Sequence, residues 1–122
     1  MDLLDRIGAV ALSFPEAERV DIEAWGDHPT FRVRGKNFVF ASGDGRNLSV
    51  KLDKEEAAAV VASDPRVEPS GYGLGRHGWV ALTLPDRTPT KDEWAELCEW
   101  IETSYRLVAP KTLVRKLDDL SR

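Results

Sequence analysis

The chain has 122 residues with 17 Lys and Arg against 21 Asp and Glu, a formal charge of −4, a sequence pI near 5.2 and a mean hydropathy of −0.36. That is one domain, residues 1–122, long enough to hold a core without staples, and the single cysteine, Cys98, excludes an internal disulfide and any multi-thiolate metal site. Charged residues at 31% and apolar residues at 42% exclude a disordered chain, no apolar run approaches the ~20 residues of a spanning helix, and the acidic start at Asp2 and Asp5 is unlike a signal peptide.

Leu3, Ile7, Val10 and Phe14 form one apolar face, predicting a first helix that Pro15 closes. Alternation then takes over. Val20, Ile22 and Ala24 alternate with Asp21, Glu23 and Trp25, and after Gly26–Pro29 the pattern resumes with Phe31 and Val33 against Arg32 and Arg34. Gly35-Lys36 supplies a turn into a strand over 37–41, and residues 42–46 turn into a strand over 48–52. Asp53 and Glu56 have capping-box spacing ahead of a short Ala-rich helix over 54–62. Residues 65–78 have loop composition, and a fifth strand, Trp79–Leu84, places Val80, Leu82 and Leu84 on one side. Thr90 and Glu93 form a capping box for a helix whose apolar stripe is Trp94, Leu97, Cys98, Ile101, Tyr105 and Val108. A last helix begins at Pro110 and carries Leu113, Val114, Leu117 and Leu120. The fold class is therefore α+β, a twisted antiparallel sheet of about five strands flanked by N- and C-terminal helices.

Motifs for chemistry are sparse. Gly73–Gly78 spells G-x-G-x-x-G, but a strand follows where a dinucleotide fingerprint requires a helix. His28 and His77 belong to no ligand spacing, Cys98 falls on an apolar helix face, and no nucleophile motif supports a catalytic pair. The expectation is a protein without catalytic residues, metal or cofactor. The polar side of the strands is the remaining feature. Residues 28–51 hold Arg32, Arg34, Lys36, Arg46 and Lys51 against one acid, Asp44, a local +4. Alternation places Arg32, Arg34, Ser49 and Lys51 with Trp25 and Trp79 opposite the apolar set, as a phosphate-tracking, base-stacking surface needs. A hairpin through 26–29 would neutralise part of that charge by setting Glu23 opposite Arg32 and Asp21 opposite Arg34.

Five ordered pieces of the chain carry a resemblance. Trp25–Phe31, Gly35–Phe38, Leu48–Leu52, Gly78–Val80 and Ser104–Ala109 resemble the MmcQ/YjbR family of small bacterial proteins over about residues 3–117. The resemblance implies a CyaY/frataxin-like, double-wing fold and a DNA-binding label drawn from winged folds. The basic positions matching the family are Lys36 and Lys51, and the aromatic ones Trp25, Phe31, Trp79 and Tyr105. Asp27, between Gly26 and His28, departs from the family pattern and adds a negative charge to that loop. The frataxin likeness also implies an iron-binding alternative, for which the first helix offers only Asp2 and Asp5, beside Arg6.

Two functional expectations follow. The first is a cytoplasmic, monomeric, non-enzymatic protein, with no membrane partner, that binds DNA or another nucleic acid through Arg32, Arg34, Lys36, Arg46 and Lys51. The second is a small-molecule or protein-partner module whose site lies around Trp25, Trp79 and the 65–78 segment.

Overall fold

The computed structural model describes residues 2–22, 28–71 and 73–120. Asp2 caps the first helix by accepting from the Asp5 N–H at 2.8 Å, and α1 (Leu3–Leu12) turns Leu3, Leu4, Ile7 and Ala11 into the core. A tight reversal with Glu16 at φ 58° leads into β1 (Ala17–Ile22). The chain then runs β2 (His28–Val33), β3 (Lys36–Ala41), β4 (Asn47–Lys51), α2 (Lys54–Ser63), β5 (Val67–Pro69), a 3₁₀ turn over Leu74–His77, β6 (Trp79–Thr83), α3 (Lys91–Val108) and α4 (Lys111–Leu120). The strands form one antiparallel sheet in the order β1-β2-β3-β4-β6-β5. It has six strands where five were expected, because β5 is a three-residue edge strand inside a segment of loop composition.

The first hairpin departs from the expected register. Arg32 faces Glu18, not Glu23, and Asp21 faces Pro29. His28 and Pro29 belong to β2 rather than to a turn, since a proline at the start of a strand forfeits little pairing. Glu23 lies outside the described residues. Arg34 still finds an acid, but it is Glu16, at 2.7 Å, while Asp21 pairs with Arg19 at 2.8 Å. The second turn is also one residue earlier than expected. Arg34 and Gly35 occupy it with φ of 51° and 79°, the double positive φ of a type I′ hairpin, which leaves Lys36 to open β3 opposite Val33.

One side of the sheet is covered by helices. Phe31, Val33, Val39, Ala41, Leu48, Val50, Val80 and Leu82 project there against Ile7 of α1 and Leu97, Trp100, Ile101 and Tyr105 of α3. A β-bulge in β3 places Phe38 and Val39 both in this core and breaks the ladder beside Phe38. Ser104 repairs the break. Its hydroxyl donates to the Phe38 carbonyl at 2.6 Å and accepts from the Lys51 N–H at 2.8 Å, joining two strands that have lost their direct bond. Tyr105 packs edge-on to Phe38 at 5.3 Å and donates to the Pro15 carbonyl at 2.7 Å. The expected capping box forms between Thr90 and Glu93, whereas Asp53 accepts from Glu55 and makes no reciprocal bond. α4 buries Leu113 and Leu117 and leaves Leu120 70% exposed, and Asp118 ties it to Arg106 of α3 at 2.8 Å. No helix among the described residues is long and apolar enough to cross a membrane.

Candidate functional site

Strand register sorts the uncovered side of the sheet into three rows, because directly paired residues share a face. At the β3–β4 turn end lie His28, Ser42, Asn47 and Thr83. The middle row is Thr30, Phe40, Ser49, Ala81 and Glu68. The third holds Arg32, Lys51 and Trp79, with Ser70 beyond them donating its N–H to the Trp79 carbonyl at 3.1 Å. Of the residues that alternation places on this side, Arg32, Ser49, Lys51 and Trp79 lie here, whereas Arg34 occupies the β2–β3 turn. Nothing in the alternation marks the first two rows as a site, since they consist mainly of small neutral side chains.

The first two rows, apart from the buried Thr30, line a groove of about 950 Å³, and Ser70, Gly71 and Leu74 lie beyond Glu68 along its far side. At one end Thr83 donates to Asn47 Oδ1 at 3.3 Å, Ser42 accepts from the Asn47 N–H at 3.1 Å, and Ser42 donates to Asp44 at 2.6 Å. His28 Nδ1 lies 3.4 Å from the Ala41 carbonyl, a contact in which the ring nitrogen is the donor. The Ser70 hydroxyl is buried without a partner among the described residues. The described lining contains no Lys or Arg, and its one carboxylate is Glu68.

A second concavity, of about 310 Å³, lies between α2 and the β5–β6 edge. α2 contributes Lys54, Ala57, Ala58 and Val61, the i, i+3, i+4, i+7 stripe of one helix face, and Trp79 and Arg76 stand opposite. Trp79 is 9% exposed yet lies outside the main core cluster. Its ring meets Phe40 edge-on at 5.4 Å, so this aromatic pair divides the groove from the cleft.

The five expected cations do not converge. Arg34 at the β2–β3 turn is bound twice by Glu16, which raises the guanidinium pKa and holds the Glu16 carboxyl below its ordinary range. Arg46 clamps the β6–α3 connection through the carbonyls of Pro85 and Arg87 and through Asp86 at 3.3 Å. Arg32 donates to Thr30 at 3.3 Å. The Lys36 and Lys51 ammonium groups have no partner among the described residues, but Lys36 pairs with inward-facing Val33 and Lys51 with Trp79 on the open side. Phe31 and Tyr105 are fully buried, and burial pushes the Tyr105 hydroxyl pKa up. Trp25 lies outside the described residues. Among those described, no three His, Cys, Asp or Glu side chains gather as a metal-ligand set.

These features define a class, a small α+β domain with helices on one side of an antiparallel sheet and a groove on the other. The YjbR family model matches residues 12–107, and the chain belongs to that family. Its fold is similar to the crystal structure of the Deinococcus radiodurans protein DR2400, with the DUF419 domain, at a TM-score of 0.76 and 22% identity over 97% of this chain and 89% of that one. No curated protein matches the chain.

Proposed function

We propose that this protein is a non-enzymatic binding module whose ligand seats in the open-face groove. The observation that carries the reading is the groove itself, about 950 Å³ of concavity on a sheet face that no helix covers. That size lies at the upper end for small-molecule sites, and a largely apolar lining with a few polar groups is their usual composition. With Glu68 the one carboxylate and no Lys or Arg in the described lining, the groove suits a neutral or cationic ligand. A thermal-shift and NMR screen of neutral, cationic and anionic small molecules tests this. A ligand at 100 times its dissociation constant stabilises by about 2.7 kcal/mol, and Ala81→Phe, which fills the floor, should abolish the shift. Failure of every neutral and cationic compound to perturb Ser49 and Ala81 resonances overturns the reading, and turnover of a bound compound overturns its non-enzymatic part.

A second reading, nucleic-acid binding, is favoured by the ammonium groups of Lys36 and Lys51, which have no partner among the described residues. Phosphate contact makes such binding steeply salt-dependent. Fluorescence anisotropy with short duplex and single-stranded DNA at low salt tests it. Binding that loses about one unit of salt slope in Lys51→Ala supports the reading, and a flat titration overturns it.

A further inference from the structure

We infer that the cleft between α2 and Trp79 is a second binding site, separate from the groove, for a small organic carboxylate with an aromatic or short aliphatic body. The walls are apolar, formed by Ala57, Ala58, Val61 and the Trp79 ring, while the charged groups at the mouth are both cations, Lys54 and Arg76. Neither has an ion-pair or hydrogen-bond partner among the described residues. The chain carries a net charge of −4 and Arg19, Arg34, Arg46, Arg66, Arg87 and Arg106 all hold acids, whereas the two cations that line this cleft do not. Lys51 adds a third unpartnered ammonium beside Trp79 in the strand register.

The Arg76 guanidinium lies over Gly73, close enough that a Cβ there would come within 3.1 Å of it. It thus stands beside the 3₁₀ turn at the rim, and a planar fork of this kind meets a carboxylate through two parallel hydrogen bonds. The cleft volume of about 310 Å³ admits a single ring or a chain of a few carbons and no larger body. An apolar body against Trp79 with its carboxylate at Lys54 and Arg76 satisfies every group the cleft presents.

The test is an NMR titration of the intact protein with phenylacetate, with phenylacetamide as the uncharged isostere and phenyl phosphate as the alternative anion. Phenylacetate should bind with a dissociation constant of about 1 mM, as suits so small a ligand, and should shift the Trp79 indole and the Ala57 and Ala58 methyl signals. Phenylacetamide and the Arg76→Gln variant should each bind at least about tenfold more weakly, the loss of a charge-assisted contact. Ala58→Leu, an exposed helix position that accepts leucine, should close the cleft and abolish binding while the far-ultraviolet spectrum stays unchanged. Equal affinity for acid and amide, unchanged affinity in Arg76→Gln, or no shift at 20 mM, about twentyfold above the expected constant, overturns the site. Tighter binding of phenyl phosphate than of phenylacetate overturns the carboxylate assignment. Groove resonances at Ser49 and Ala81 should stay still, so the cleft and the groove stand or fall separately.

Discussion

The groove and the cleft share a wall, the Phe40–Trp79 pair, yet their chemistry is opposed. Among the described residues, the groove lining has one carboxylate and no Lys or Arg, whereas the cleft lining has two cations and no carboxylate. The difference comes from how each is built. The groove floor is strand, where register alone decides which residues meet, and it gathers hydroxyl and amide groups that largely bond one another. The cleft lies where a helix, an edge strand and a 3₁₀ turn meet, so its cations come from segments distant in sequence. Neighbouring concavities on one small domain therefore present opposite charge.

The largest effect that would break this comparison is expected at Gly78. Its φ is +91°, and a Cβ there would come within 2.1 Å of the Leu52 carbonyl. Gly78→Ala should cost about 4 kcal/mol or more, as for other strained and overpacked sites, and should remove both concavities together, read by urea denaturation and loss of both sets of ligand shifts. Ser104→Ala is next. It strands the Phe38 carbonyl and the Lys51 N–H, and about 2–3 kcal/mol should be lost, with the β3–β4 end beside Lys51 exchanging its amide hydrogens faster. Phe40→Ala should cost about 2 kcal/mol, since the ring is half-buried. By removing the shared wall it should also make groove ligands perturb the cleft signals that wild-type protein leaves unmoved.

Two changes on the far side of the molecule sharpen the contrast by leaving it intact. Thr90→Ala removes the N-cap of α3 and should lower stability by about 1 kcal/mol while both titrations are unchanged. Glu93 supplies a pH signature. The Arg87 guanidinium beside it, helped by the Thr90 N–H, holds its carboxyl at about 2 against an ordinary 4.5. A carboxyl depressed on folding contributes stability above its unfolded value and loses it as pH falls through the folded one. The stability difference between wild type and Glu93→Gln should thus shrink from pH 4.5 toward pH 2, as measured by denaturant midpoints across that range.

Legibility in the sequence followed the range of the interactions. The Thr90–Glu93 box, the helix starts and the alternation in β4 and β6 depend on near neighbours and were readable. The register of β1 was not, because period-two alternation looks the same for several pairings, and Asp21 and Glu23 were as plausible opposite the arginines as Glu16 and Glu18 proved to be in fact. Trp100 was missed as a core residue, and alternation along β6 set the side of the sheet for Trp79 but not its burial, which the contact with Phe40 and the cleft decide. Among the matching aromatics, Phe31 and Tyr105 turn out to build the core. The matching Ser104–Ala109 piece has a structural reason too, since Ser104 and Tyr105 stitch α3 to the bulge and to the turn after α1.

The sequence by itself determined the class of fold and the net charge, because helix caps, apolar periodicity and turn residues act over a few positions. Only the tertiary structure decided where the charge went. The +4 of residues 28–51 is divided among an ion pair at a turn, a clamp on a distant loop and two faces of one sheet. The cations that remain together, Lys51, Lys54 and Arg76, are drawn from three segments. Coulomb interactions depend on distance in space, and spacing along the chain does not record which residues folding makes neighbours.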